Sequence, residues 1–155
     1  MTDVVIIGGG IAGMSACAQL APHVKVVLLE AEPELSYHSS GRSAATYIED
    51  YGNRVTKKLN KASLTFLKSK SQGFLKKRGL LLLGKKGEEA QFQSDSEDLG
   101  LEYISIDEAY KLIPALNRES ITRQAYRPDV YDIDTNKLYE YYRKSAIKNG
   151  AQIRK

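Results

Sequence analysis

The stretch Val4-Val5-Ile6-Ile7-Gly8-Gly9-Gly10-Ile11-Ala12-Gly13 reads as a strand running into a glycine turn. Four apolar, β-branched residues closed by glycines predict a buried strand. Gly8, Gly10 and Gly13 have the spacing G-x-G-x-x-G. From Ile11 to Leu20 the chain is rich in Ala, Met and Leu, which predicts a helix ended by Pro22 and His23. Val24 to Leu29 is mostly apolar, as in a parallel strand covered on both faces. Glu30 follows, 17 residues after Gly13. Strand, glycine turn, helix, strand and acid together make a dinucleotide-binding βαβ unit. Each position has a physical task. Gly8 permits the tight turn, Gly10 has no Cβ to keep a pyrophosphate off the backbone, and Gly13 lets the helix pack close to the strands. The amides of the first helical turn, at Ile11 and Ala12, and the helix dipole attract phosphate. Glu30 is placed to accept hydrogen bonds from a ribose. It would repel a 2′-phosphate, which disfavours NADP. A glycine turn without ligand is the plain alternative, but it leaves the agreement of the elements unexplained.

Beyond this unit, residues 31–52 form a long loop rich in Ser and Gly, and such loops are functional or disordered. From Asn53 to Ser71 helical periodicity returns, with Val55, Leu59, Ala62 and Phe66 on one face. Lys57, Lys58, Lys61 and Lys68 occupy other faces. This predicts a solvated amphipathic helix; a polyanion-binding face lacks interleaved aromatic residues. Leu80 to Leu83, between Gly79 and Gly84, predicts a strand, and Glu88 to Asp98 a polar surface helix. Leu101 to Ile104 reads as a short strand. Ser105 and Glu108 have capping-box spacing before a helix that stops near Pro114. Thr122 to Tyr131 reads as extended. Asp134 is the predicted N-cap of a helix to about Lys148, stopped by Asn149-Gly150. Leu138, Tyr141, Tyr142 and Ser145 share its predicted packing face. Ala151 to Lys155 looks like the start of another strand.

The chain has 155 residues, 42% of them apolar and 27% charged, with a net charge of +4. These are ordinary values for a globular protein. The lysines are dispersed, so nucleic acid is not an expected partner. Cys17, the single cysteine, cannot form an internal disulfide and is expected to be buried as a small apolar group. His23 is expected in solvent. No segment reaches the roughly 20 apolar residues of a membrane span, and no signal peptide is read at the N-terminus. A cytoplasmic location is expected, either free or held at the inner surface of a membrane by partners. No metal site is expected.

The loop Tyr37-His38-Ser39-Ser40-Gly41-Arg42-Ser43-Ala44-Ala45-Thr46-Tyr47 resembles the one that follows the second strand in D-amino acid oxidase-like FAD-dependent oxidoreductases. The likeness is nearest to bacterial D-amino acid dehydrogenases of the D-arginine type. Tyr51-Gly52 and Tyr131-Asp132-Ile133-Asp134-Thr135, with Leu138 and Tyr142, also match. The likeness spans essentially the whole chain and is most specific over residues 4–52. It implies FAD as cofactor. Ser39, Ser40, Gly41, Arg42, Ser43, Ala44, Ala45 and Thr46 would run along the flavin side. Ala12, Glu30 and Ala31 would hold the pyrophosphate and adenosine end. Tyr51 would correspond to a lid tyrosine over the substrate, with Gly52 as a hinge. Thr46 stands where the D-arginine type carries an active-site histidine, and no acid near Leu80 matches the one that reads a guanidinium. A D-arginine substrate is therefore not implied.

The expected fold is α/β: the N-terminal part of a Rossmann-like FAD-binding domain with a parallel sheet, plus the beginning of a substrate-domain insertion. Residues 1–52 would form the FAD-binding βαβ unit and flavin loop. Residues 53–131 would form a helical segment and the start of the insertion, and 132–155 the return helix and a truncated strand. The resemblance implies oxidation of D-amino acids or related amines by hydride transfer to the flavin N5. The catalytic residues, substrate and electron acceptor are not legible. A nicotinamide-dependent reductase would leave Ser39 to Thr46 without a role. A non-catalytic nucleotide-binding fragment or subunit is the other alternative. Only one βαβ unit is evident, so a missing C-terminal half or a partner chain is expected to be needed.

Overall fold

The computed structural model describes residues 1–69 and 73–155. In chain order the elements are β1 (Val4–Ile7), α1 (Ile11–Leu20), β2 (Val26–Leu29), β3 (Thr46–Tyr47) and α2 (Arg54–Ser69). There follow β4 (Leu75–Lys77), β5 (Leu80–Gly84), α3 (Glu89–Leu99), β6 (Glu102–Tyr103) and α4 (Ile106–Leu112). The last are β7 (Arg123–Arg127), β8 (Tyr131–Ile133), α5 (Thr135–Lys148) and β9 (Gln152–Arg154). The chain divides into two compact units, Met1–Ala45 with Ile133–Lys155, and Thr46–Asp132. The predicted end of the second helix at Ser71 lies outside the described residues. Among the described residues no helix is long and apolar enough to cross a membrane.

The first unit is built on a parallel sheet of order β1-β2-β9. Val4 to Ile7 pair with Val26 to Leu29, and Val27 to Leu29 pair with Gln152 to Arg154. The α/β fold with a parallel sheet expected from the sequence is therefore present. One face is covered by α1 and α5, with Met14, Cys17, Ala18, Val26, Leu28, Tyr139 and Ala146 as its core. Small residues on α1 let α5 approach closely. Met14 and Leu28 are fully buried, each contributing about 1.5–3 kcal/mol relative to exposure. Cys17 is buried with them, and burial pushes its thiol pKa up, which disfavours the reactive thiolate.

The opposite sheet face differs from expectation. β2, expected to be covered on both faces, is so at Val26, Val27 and Leu28 and opens only at Leu29, 39% exposed; β1, expected to be buried, is covered on one face only, with Val5 and Ile7 56% and 87% exposed. Alternation along β1 sends Val4 and Ile6 to the helices and leaves Val5 and Ile7 uncovered.

The second unit holds two antiparallel arrangements. In one, β3 pairs with β8, Thr46 opposite Asp132 and Tyr47 opposite Tyr131. In the other, β7 lies between β5 and β6. Phe92, Leu101 and Ala125 form its local core with Leu80, Leu82 and Leu99. The helix predicted as a polar surface element, α3, thus buries Phe92 against the sheet. The capping box of α4 is formed: the Ser105 hydroxyl accepts from the Glu108 N–H, and the Glu108 carboxylate accepts from the Ser105 N–H. Arg127 binds the Asp50 carboxylate and donates to the Leu99 carbonyl at 2.8 Å.

Two helix faces are corrected. On α2 the predicted apolar stripe is not the buried one: Val55 and Leu59 are each 62% exposed, while Leu67 is buried. Polar contacts decide the orientation. Asn60 donates to the carbonyls of Ile48 and Tyr51, and its own carbonyl accepts from the Tyr47 hydroxyl. On α5 the buried residues are Tyr139 and Ala146; of the predicted packing face Tyr142 packs against the same core, partly buried, while Leu138, Tyr141 and Ser145 lie beside it.

Candidate functional site

The glycine turn sits where β1 ends and α1 begins. Gly8 has a φ of 101°, a conformation that side-chain-bearing residues rarely adopt. A Cβ at Gly13 would lie 2.0 Å from the Gly8 carbonyl oxygen, so only glycine allows this helix-to-strand approach. The N-cap of α1, Gly10, supplies no side-chain cap. The Ile11 N–H donates to the Ser40 hydroxyl at 3.0 Å. The N–H groups of Gly10 and Ala12 have no partner among the described residues. Uncapped amides at a helix N-terminus are an anion site in waiting.

Glu30 lies at the C-terminal end of β2. One carboxylate oxygen accepts from the Gly9 N–H at 2.6 Å, and the other from Ala31 at 2.8 Å and Glu32 at 3.0 Å. The Glu32 and Gly9 amides hold its pKa below the usual glutamate value. A carboxylate has about four lone-pair sites, so these three bonds leave room for one further donor such as a ribose hydroxyl.

The Gly9 carbonyl is fixed from two sides. It accepts from the Tyr139 hydroxyl at 2.6 Å and from the Ser36 N–H at 3.2 Å. A trans peptide points its N–H opposite to its carbonyl, so this clamp also sets the direction of the Gly10 N–H. Burial pushes the Tyr139 phenol up to about 12, keeping it a neutral donor. Sequence reasoning missed Tyr139. The available signal was its seven-residue spacing from Ala146 on the inward face, together with the need of a buried tyrosine hydroxyl for a partner.

The serine loop walls the same region. A cavity of about 360 Å³ is lined by Ile11, Ser39, Ser40, Ser43, Ala45 and Tyr139, among others. A neighbouring one of about 500 Å³ includes Ser40, Gly41, Tyr139, Arg143 and Lys155. Of the residues predicted from sequence, the structure brings together Gly8, Gly10, Ile11, Ala12, Gly13, Glu30, Ala31 and Ser40. Ser39, Gly41, Ser43 and Ala45 line the adjoining cavities. Ala44 is exposed in the same loop. Arg42 is also exposed, its guanidinium 5.1 Å from the centre of the Tyr37 ring. Thr46 and Tyr51 belong to the other unit. There Thr46 starts β3, and Tyr51, 62% exposed, borders a cavity with Gly52, Asp95, Asp98 and Leu99.

A donor-lined cradle without a Cβ at Gly10, an acid at the end of β2 and adjoining cavities fit a dinucleotide such as FAD. When bound, FAD would be held at its pyrophosphate by the amides of Gly10 and Ala12.

Many solved structures share this fold, among them the following three. L-proline dehydrogenase from P. horikoshii superposes with a TM-score of 0.79 at 23% identity, over 99% of this chain and 44% of its own. The FAD-bound L-α-glycerophosphate oxidase from Mycoplasma pneumoniae gives 0.82 at 22% identity, over 98% and 44%. Glycine oxidase from Bacillus cereus gives 0.78 at 22% identity, over 100% and 47%. The chain thus spans less than half the length of these proteins. A family model described as FAD dependent oxidoreductase, DAO, matches residues 3–155, and the chain belongs to that family, whose cofactor is FAD.

Proposed function

We propose that this chain is the FAD-binding portion of an enzyme that oxidises amino acids, of the D series, or related amines. The observation that carries the reading is the pair of unpartnered amides, Gly10 and Ala12, on either side of Ile11, which lines a serine-walled cavity, in a turn whose Gly9 amide is held by the Glu30 carboxylate. When bound, FAD supplies the acceptor, its N5, for the hydride leaving the carbon that bears the amine. The chain's own residues bind and orient. Glu30 takes a ribose hydroxyl while holding the Gly9 and Ala31 amides. Ser39 to Thr46 lie along the flavin, their hydroxyls able to donate and accept. Arg42 adds a positive charge to that loop. The unit Thr46–Asp132 begins the substrate-binding part, in which Tyr51 is the candidate lid residue and Gly52, with a φ of 91°, its hinge. Two of the structural relatives are named for amino acids, proline and glycine, which supports the amine class. The remaining walls of the flavin site would come from a further part of the protein or a partner chain.

Titration of the purified chain with FAD, followed by quenching of flavin fluorescence, tests the reading. Saturable binding that NAD does not displace is expected. Binding of NADH in preference to FAD would instead support a nicotinamide-dependent reductase and remove the role given to the serine loop.

A further inference from the structure

Helix α2 presents an outward face that the cofactor site does not use. The helix contains no acidic residue. Arg54, Lys58 and Lys61 follow one another at i, i+4 and i+7, all exposed and without an ion pair among the described residues. Beside them run Val55, Leu59 and Ala62, also exposed, the first two at 62%. The inward side of the helix is already satisfied by Leu67 and by the hydrogen bonds of Asn60. Two cations are otherwise engaged: Lys57 donates to the Asp98 carbonyl, and the Lys68 ammonium lies 5.2 Å from the centre of the Tyr131 ring. The nearby acids do not neutralise the stripe. Asp50 is bound to Arg127, and Glu49 and Asp50 share the cleft at the helix start with Arg54, Lys57, Lys58 and Lys61, two acids against four cations.

An apolar row against a basic row, both in water, narrows the kind of partner. The dry centre of a protein–protein interface is depleted of lysine. A lipid surface accommodates both rows at once: the apolar side chains enter the headgroup and acyl boundary, while the long cationic stems reach the phosphates. Uncompensated positive charge then favours anionic lipid. We propose that the outward face of α2 docks this protein onto an anionic membrane surface, with Arg54, Lys58 and Lys61 on the headgroup phosphates and Val55 and Leu59 in the boundary below them.

Vesicle flotation of the full chain tests it, since aggregates sink and only membrane-bound protein rises. The chain should float with vesicles of phosphatidylcholine mixed with phosphatidylglycerol and not with phosphatidylcholine alone, and added salt should release it. The double variant Lys58→Glu, Lys61→Glu should lower the partition at least about tenfold, and Leu59→Ser should lower it as well, with circular dichroism unchanged. All these positions are exposed, so the fold does not depend on them. No flotation, equal flotation with neutral vesicles, or indifference to the charge reversal would each overturn the proposal. Self-association of the chain that the same variants abolish, in the absence of vesicle binding, would assign the face to a polypeptide instead.

Discussion

Glu30 and Tyr139 grip the same glycine turn from opposite ends of the sequence, and each bond has its own pH signature. The Glu30 pKa is lowered in the fold, so its hold on the Gly9, Ala31 and Glu32 amides is complete above the ordinary glutamate range and is lost as pH falls below it. The Glu30→Arg variant should bind FAD more than about tenfold less tightly, because it removes the acceptor and frees the turn. Unchanged affinity by fluorescence titration would refute the ribose-binding assignment. The Tyr139 case runs the other way. Its phenol is raised from 10.0 to about 12, so its contribution is fully present below the unfolded value and lost as pH climbs through about 12. Tyr139→Phe leaves the Gly9 carbonyl with only the Ser36 amide. Thermal stability should drop by about 1 kcal/mol, and FAD affinity should weaken, without loss of fold. The variant should also lose the wild-type stability decline between pH 10 and 12. A phenylalanine variant with wild-type affinity and wild-type alkaline behaviour would show that the clamp is idle.

At the scale of elements, α1 lies close against the turn leaving β1 at Gly13. A methyl group at Gly13 would meet backbone at 2.0 Å, and backbone cannot swing aside as a side chain can. Gly13→Ala should therefore cost about 1–3 kcal/mol in thermal unfolding, whereas Ala16→Ser on the exposed side of α1 should stay within about 0.5 kcal/mol. Equal effects of the two would mean that the helix is not wedged at Gly13. The βαβ unit was legible because its signals are local and agree: β-branched strand, glycine spacing, helix and terminal acid. The capping box at Ser105 and the N-cap at Asp134, whose side chain accepts from the Lys137 N–H at 2.9 Å, were legible for the same reason. The orientation of α2 was not. Its periodicity gives the direction of the apolar stripe, but what turns it is the long-range bonding of Asn60 to carbonyls in the preceding loop, which leaves no periodic mark. Tyr139 was hidden in a similar way, since its partner, the Gly9 carbonyl, lies 130 residues earlier.

For the whole molecule, the open side of the parallel sheet sets the behaviour. Val5, Ile7 and Leu29 place large apolar side chains in water, and β1 has a strand neighbour on one edge only among the described residues. Such an edge and face invite association. By itself the 155-residue chain should be poorly soluble or bind FAD weakly, and should not turn over amino acids. Replacing Val5 and Ile7 together by threonine keeps β-branched strand formers while removing apolar surface, so soluble yield and monomer content in light scattering should rise. A wild-type chain that is already monomeric, keeps stoichiometric FAD through gel filtration and oxidises a D-amino acid would overturn this view.

The Ile133 N–H donates to the Ala45 carbonyl at 2.9 Å, so the chain leaves the first unit and re-enters it across a single hydrogen bond. Thr46–Asp132 is the stretch of chain enclosed between those two residues. In evolutionary terms that junction is a socket. The intervening segment can be lengthened, shortened or exchanged between lineages while the strands that read the nucleotide keep their register. On the proposed reading, in which that segment begins the substrate-binding part, changes in substrate preference would then leave the cofactor-binding strands untouched.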